Sequence, residues 1–287
     1  MDGDDGARTR KGTTMATTTT DFDQYERTQW AGRAEAFQGS FAALCAHPAG
    51  PLLDAAGAES GLRVLDAGTG TGTVAALAWA RGAHVVAVDA EPSMLELTRR
   101  RVPAAETHEA ILPHLPFPAA SFDAAVANFV VNHVGDPAAA VRELRRVVRP
   151  GGRVAVTIWP YPTPPAQQLW ATIFDAAGVE RPTDLPRLTP DKDFPRTPEG
   201  LSALLRQAGL ADVTCETLAW KHRTDPESWW SGPANGLSSP GLVMQRQDSG
   251  TLDRIRQEYD RHTAAYREED GRLALPTSAL LAAGTAT

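Results

Sequence analysis

At 287 residues, 42% hydrophobic and 22% charged, the chain suits one large α/β domain with the composition of an ordinary globular protein. A net charge of −7 argues against a broadly basic nucleic-acid-binding surface. Two cysteines, Cys45 and Cys215, are too few for a zinc cluster or a disulfide framework and fit a reduced, cytoplasmic setting. No apolar run approaches the ~18 residues of a membrane-spanning helix, so no membrane partner is expected.

In chain order, residues 1–20 (MDGDDGARTRKGTTMATTTT) lack the apolar core of a secretory signal and read as a disordered leader, with Met15 a candidate second start. From residue 21 to 287 the chain reads as one domain. Residues 21–57 suggest one or two amphipathic helices, with Trp30, Phe37, Phe41 and Leu44 near helical spacing. Strands and helices then alternate. RVLDAG, HVVAVDA, a short run around Thr107–Ala110, FDAAVANFVV and RVAVTIW read as five strands, and the intervening segments read as helices. The helix DPAAAVRELRRVVRPGG is expected to close at Pro150-Gly151-Gly152. Such alternation predicts a parallel sheet covered on both faces. Beyond a proline-rich stretch, PEGLSALLRQAG predicts a helix, ADVTCETLAWKHR a strand, and LPTSALLAAGTA a closing strand. The largely helical segment at about 226–270 falls between those last two strands and is expected to cap one end of the sheet.

The richest signal is DAGTGTG, which places Gly68, Gly70 and Gly72 directly after a strand ending at Asp66. Glycines allow a tight turn and a close backbone approach to a ligand. Thr73 occupies the position where a dinucleotide fingerprint requires Gly or Ala, and the Gly-Lys-Ser/Thr of a phosphate loop is absent. A carboxylate beside the turn repels pyrophosphate and attracts an ammonium group. S-adenosylmethionine carries such an ammonium, a sulfonium and no phosphate, so the loop favours it. Asp89 ends the second strand, where a carboxylate can accept from both ribose hydroxyls.

The pieces VLDAGTGTG, VVAVDAEPSML, LPFPAASFDAAVANFVVNHV and ELRRVVRPGGRVAVTIW occur in order over Val64–Ile158, about a third of the chain. In these pieces the sequence resembles the class I S-adenosylmethionine-dependent methyltransferases of the ubiquinone/menaquinone-biosynthesis type. The resemblance implies a Rossmann-like α/β fold with a seven-stranded sheet in the order 3-2-1-4-5-7-6. Its seventh strand would be antiparallel and helices would lie on both faces beneath a helical cap. It also implies methyl transfer from S-adenosylmethionine to a small-molecule acceptor, leaving S-adenosylhomocysteine, with no metal. Asp66, Ala67, Gly68, Thr69 and Gly70 would then surround the methionyl part, Asp89 would take the ribose, and Ala90 and Met94 would flank the adenine. Glu109, Ala110 and Ile111 would also contact the adenine. The sequence departs from the family pattern at Thr69, where Cys is common, and at Glu109, where Asp is usual. The spacing from Glu109 to LPF is also about two residues longer than usual.

For the chemistry, His133 in NFVVNHV is the candidate general base, because it follows the fourth strand at the carboxyl edge of the sheet. Asn128, on the same strand, is expected to touch the methionyl moiety. Trp30, Phe37, Trp159, Trp170, Trp229 and Trp230 are candidates for an aromatic acceptor pocket. Acidic charge and the aromatic cap point to a specialised metabolite as acceptor. Two other readings stay open: a cyclase or rearrangement enzyme that keeps the cofactor as a scaffold, and a non-catalytic ligand-binding protein.

Overall fold

A computed structural model describes residues 20–287. The leader expected over 1–20, Thr20 apart, and the candidate start at Met15 lie outside the described residues. The chain opens with four short helices in place of one or two: α1 (Asp21–Trp30), α2 (Ala34–Gln38), α3 (Ala42–Ala46) and α4 (Ala49–Ala55). Gly32, at φ +68°, divides α1 from α2. A capping box starts α1: Thr20 Oγ1 accepts from Asp23 N (3.0 Å), and the Asp23 carboxylate accepts from Thr20 N (3.1 Å).

The alternating core follows as β1 (Arg63–Ala67), α5 (Thr73–Ala80), β2 (His84–Asp89), α6 (Pro92–Arg101), β3 (Glu106–Glu109), β4 (Phe122–Asn128), α7 (Pro137–Val147) and β5 (Val148–Ile158). Then come α8 (Pro165–Ala176), α9 (Pro198–Gln207), β6 (Leu210–Thr224), α10 (Pro226–Ala234), α11 (Ser238–Gln245), α12 (Ser249–Thr263) and β7 (Leu273–Ala286). The seven strands form one sheet in the order β3-β2-β1-β4-β5-β7-β6. β7 runs antiparallel to both of its neighbours, and every other pairing is parallel. This is the expected sheet.

Two apolar layers hold it. Leu65, Val86, Phe122, Val154 and Leu144 pack on one face, and Val64, Val85, Val126, Val74 and Leu52 on the other. Successive strand residues point to opposite faces, so neighbours such as Val64 and Leu65 serve different layers. A third cluster joins α8, α10, α11 and α12 around Trp170, Trp229, Ile255 and Tyr259. These helices sit between β6 and β7 in the chain, except for α8, which packs against them.

One local expectation is corrected. The Pro150-Gly151-Gly152 run lies inside β5, where the pairing with β4 jumps from Phe122↔Val148 to Ala124↔Arg153. The residues between bulge out, and Gly151 takes φ +79°. A Cβ on Gly152 would lie 2.4 Å from the Asp123 carbonyl oxygen, so the bulge needs glycine there.

Candidate active site

At the carboxyl ends of β1, β2 and β4, under α1 and beside the cap, lies a cavity of about 910 Å³. Its floor is the glycine turn. Gly68 has φ +69°, and a Cβ there would come within 2.4 Å of Val130. Gly70 has φ +54°, and the nearest atom to a Cβ there would be Phe37 Cε1 at 3.7 Å, so its backbone stands open to the cavity. Asp66 lies beneath the turn and is 1% exposed. Its Oδ2 accepts from Thr69 Oγ1 (2.7 Å), while Oδ1 has no hydrogen-bond partner among the described residues. Burial raises its carboxyl to about 7, against the opposing pull of the Thr69 hydroxyl. Asp89 receives Gly70 N on Oδ2 (2.8 Å) and Glu91 N on Oδ1 (3.0 Å), and burial raises it to about 6. Each carboxylate oxygen has a further lone pair to offer.

Most of the sequence-expected residues meet here. Asp66, Gly68, Thr69, Gly70, Asp89, Ala90, Met94, Ala110, Ile111, Asn128 and His133 all line the cavity, with Trp30, Phe37, Trp159, Trp170 and Trp229. Three others do not. Ala67 follows Asp66 in β1, so the pleat turns its methyl into the core beside Leu65. Glu109 ends the edge strand β3 and is exposed, whereas the next two residues reach the cavity. Trp230 packs outside it, 6.0 Å from Trp170 and beneath the Arg256 guanidinium at 4.9 Å.

The aromatic candidates divide into two groups. Trp30 and Phe37 meet edge to face at 5.7 Å and pack on Met94, next to the glycine turn. Trp159, Trp170 and Trp229 lie at the other end, by the cap, where Trp159 stacks on Phe129 at 3.9 Å. Phe129 has φ +58°, a strained conformation for a bulky residue that turns the chain out of β4 into the cavity wall. The lining at this end includes Phe41, Leu44, Thr163, Gln167 and Ser238 and carries no charged side chain. Gln167 Oε1 accepts from Thr277 Oγ1 (3.0 Å), and its Nε2 has no partner among the described residues. Of the charged lining groups, Asp66 and Asp89 belong to the glycine-turn end, while Asp23 and Glu26 lie on α1 and meet Gly135 and His133.

Asn128 has a structural task that its sequence position does not reveal. Its Oδ1 accepts from Thr157 Oγ1 (2.7 Å) and its Nδ2 donates to the Cys45 carbonyl (2.8 Å), tying α3 to the end of β4. His133 sits in a 3-10 turn, Val131–His133, with Nδ1 2.8 Å from Glu26 Oε2. Glu26 and Asp23, both from α1, were missed by sequence reasoning, because nothing local marks an exposed-looking helix as a cavity wall. Among the described residues no group of three or more His, Cys, Asp or Glu could hold a metal, and no helix is long and apolar enough to cross a membrane.

Sheet order, glycine turn and strand-end carboxylates together define a class I methyltransferase fold. A methyltransferase-domain family model matches residues 65–156. A demethylmenaquinone methyltransferase of Beutenbergia cavernae is 35% identical over 177 residues, covering 56% of this chain and 70% of the relative. One of Clavibacter sepedonicus is 33% identical over 171 residues, covering 54% of this chain and 67% of the relative. Other curated relatives are matched over only 47% of their length. The solved structure of Haemonchus contortus phosphoethanolamine N-methyltransferase 2 in complex with S-adenosyl-L-methionine aligns with a TM-score of 0.55 at 16% identity, covering 94% of this chain and 61% of that one. That likeness is one of fold. The chain belongs to the class I S-adenosylmethionine-dependent methyltransferases.

Proposed function

We propose that the protein transfers a methyl group from S-adenosylmethionine to a neutral, planar small molecule, with His133 as general base. The carrying observation is the division of one cavity into a carboxylate-bearing end and an uncharged aromatic end. The residues of the first end suit the cofactor. The unpartnered Asp66 Oδ1 is a buried acceptor suited to an ammonium group, the open backbone at Gly70 leaves room for the methionyl chain, and Asp89 has lone pairs for ribose hydroxyls. Met94, Ala110 and Ile111 supply apolar surface for the adenine. When bound, S-adenosylmethionine supplies an electrophilic methyl carbon whose bond pair leaves with sulfur.

The second end supports the acceptor class. Ionic acceptors would have to shed water there without a countercharge, which is costly. A flat apolar molecule loses nothing comparable and gains the half-buried Trp159 together with the edges that Trp170 and Trp229 leave open. The free amide nitrogen of Gln167 suits an acceptor that carries an oxygen. Orienting acceptor and methyl donor in one closed space accounts for most of the rate gain such a site can give, up to ~7–11 kcal/mol in well-oriented systems. Proton removal by an imidazole adds typically ~10²–10⁴-fold. We place the acceptor in specialised metabolism and the protein in the cytoplasm, on its acidic charge and sparse cysteines.

Incubation with S-adenosylmethionine and a panel of phenols, naphthols and hydroquinones, demethylmenaquinone among them, is expected to yield S-adenosylhomocysteine with at least one. Cofactor binding without turnover across the panel would move the reading to a cyclase or a non-catalytic binding protein.

A further inference from the structure

We propose that Glu26 is a positioning residue for His133 and that α1 delivers it, so that covering the cavity and readying the base are one event. The inference rests on the methyl-transfer reading. The Glu26–His133 contact joins residues 107 positions apart, at 2.8 Å between Oε2 and Nδ1. Trp30, one helical turn beyond Glu26, braces both. Its Nε1 donates to the same Oε2 (3.3 Å), and its ring meets the imidazole edge-on at 5.6 Å. The Glu26 side chain is 15% exposed and that of His133 32%.

A carboxylate on Nδ1 holds a neutral imidazole in one tautomer, with the proton on Nδ1 and the lone pair on Nε2. Nε2 has no hydrogen-bond partner among the described residues and is not among the buried, unpartnered atoms. It is the nitrogen left for the acceptor. As the acceptor oxygen bonds the methyl carbon, its proton passes to Nε2 and the carbon–sulfur bond pair stays on sulfur. The imidazolium that forms then lies against the Glu26 charge in a half-buried setting, where the attraction is stronger than in water.

α1 has the properties of an element that comes and goes. None of its residues is buried, yet every residue from Asp23 to Ala31 lines the cavity. Apart from the packing of Trp30, it is held by a few polar contacts: Asp23 Oδ1 accepts from Gly135 N (2.6 Å), Glu26 meets His133, and Glu91 Oε1 accepts from Gly32 N (3.2 Å) at its end. Elements with little buried apolar surface open at low cost. Lifting α1 exposes the cavity and takes the carboxylate from the histidine in the same movement.

The test needs no acceptor. Histidine is labelled with ¹⁵N in the S-adenosylhomocysteine-loaded protein, and long-range ¹H–¹⁵N spectra read the His133 ring at a pH where it is neutral; His133→Gln assigns the signals. The expected result is a proton on Nδ1 in the wild type, a majority on Nε2 in Glu26→Ala, and partial return to Nδ1 in Glu26→Gln, which keeps an acceptor oxygen. A wild-type proton on Nε2, or a tautomer indifferent to Glu26→Ala, overturns the proposal alone. Failure of the wild type to bind S-adenosylhomocysteine by calorimetry overturns the cofactor reading and this proposal with it.

Discussion

The two ends of the cavity are built in different ways. The carboxylate-bearing floor comes from a nearly continuous stretch, Asp66 to Ile111, and much of it is backbone: glycines at positive φ and amides that grip Asp89. The aromatic end is gathered from segments scattered between Phe41 and Pro240, and its character comes from side chains such as Trp159, Trp170 and Trp229. A backbone site tolerates few changes, because Gly68 has no space for a methyl group. A side-chain site can be redrawn one residue at a time while the floor stays as it is. Under the proposed function, the carboxylate-bearing end would therefore be the constant part of the site, and the cap end the place where acceptor choice is made.

The largest effect that would sharpen this contrast is at Trp229, which is 2% exposed and meets Phe41 at 5.3 Å. Trp229→Ala is expected to cost about 3–5 kcal/mol of stability in urea unfolding, with S-adenosylhomocysteine affinity retained in the folded protein. A parallel collapse of affinity would show that the two ends are not separable. Next is Asp89→Ala, expected to weaken S-adenosylhomocysteine binding in calorimetry at least about tenfold, or ~1.4 kcal/mol. Unchanged affinity would remove the ribose assignment. The smallest effect is in the protons. With Asp66 raised to about 7 and Asp89 to about 6, the ligand-free fold keeps protons that the unfolded chain has already shed. From these two groups stability falls as pH rises from the ordinary carboxylate range through those values. A cationic ligand favours the ionised carboxylate, so binding should release protons, and affinity should rise with pH between about 5 and 7. Binding heats measured near pH 6 in buffers of different ionisation enthalpy test this; heats independent of buffer would break the link between the Asp66 charge and the ligand.

The same contrast decides what could be read from the sequence. The positions of the strands along the chain, the glycine turn and Asp89 were legible because each is local: a β-branched run, a glycine spacing, a carboxylate at a strand end. The order of the strands within the sheet came from the family resemblance alone. Resolution finer than the element was lost where one residue decides the face, as with Ala67 beside Asp66, or Glu109 beside Ala110. The Pro150-Gly151-Gly152 run resembled a helix stop, but the sheet took it in as a bulge because β4 and β5 pair on both sides of it. Among the tryptophans, Trp229 and Trp230 are adjacent in sequence, yet only Trp229 reaches the cavity, since neighbours on a helix point about a quarter turn apart. Glu26 carried no local sign at all. Its role depends on where a helix with no buried residue comes to rest.

The last two strands make a long antiparallel ribbon, paired from Leu210↔Ala286 to Thr224↔Leu273. The helices α10 to α12 leave and return at its far tip, so both ends of that insertion are pinned side by side. A segment anchored in this way has the layout of a cassette: cut after Thr224 and rejoined before Leu273, a replacement would meet the same sheet pairing but would have to cover α8, Leu273 and Leu275 as the present cap does. For anyone wishing to retarget the enzyme, the ribbon marks the seam along which a different cap could be sewn in.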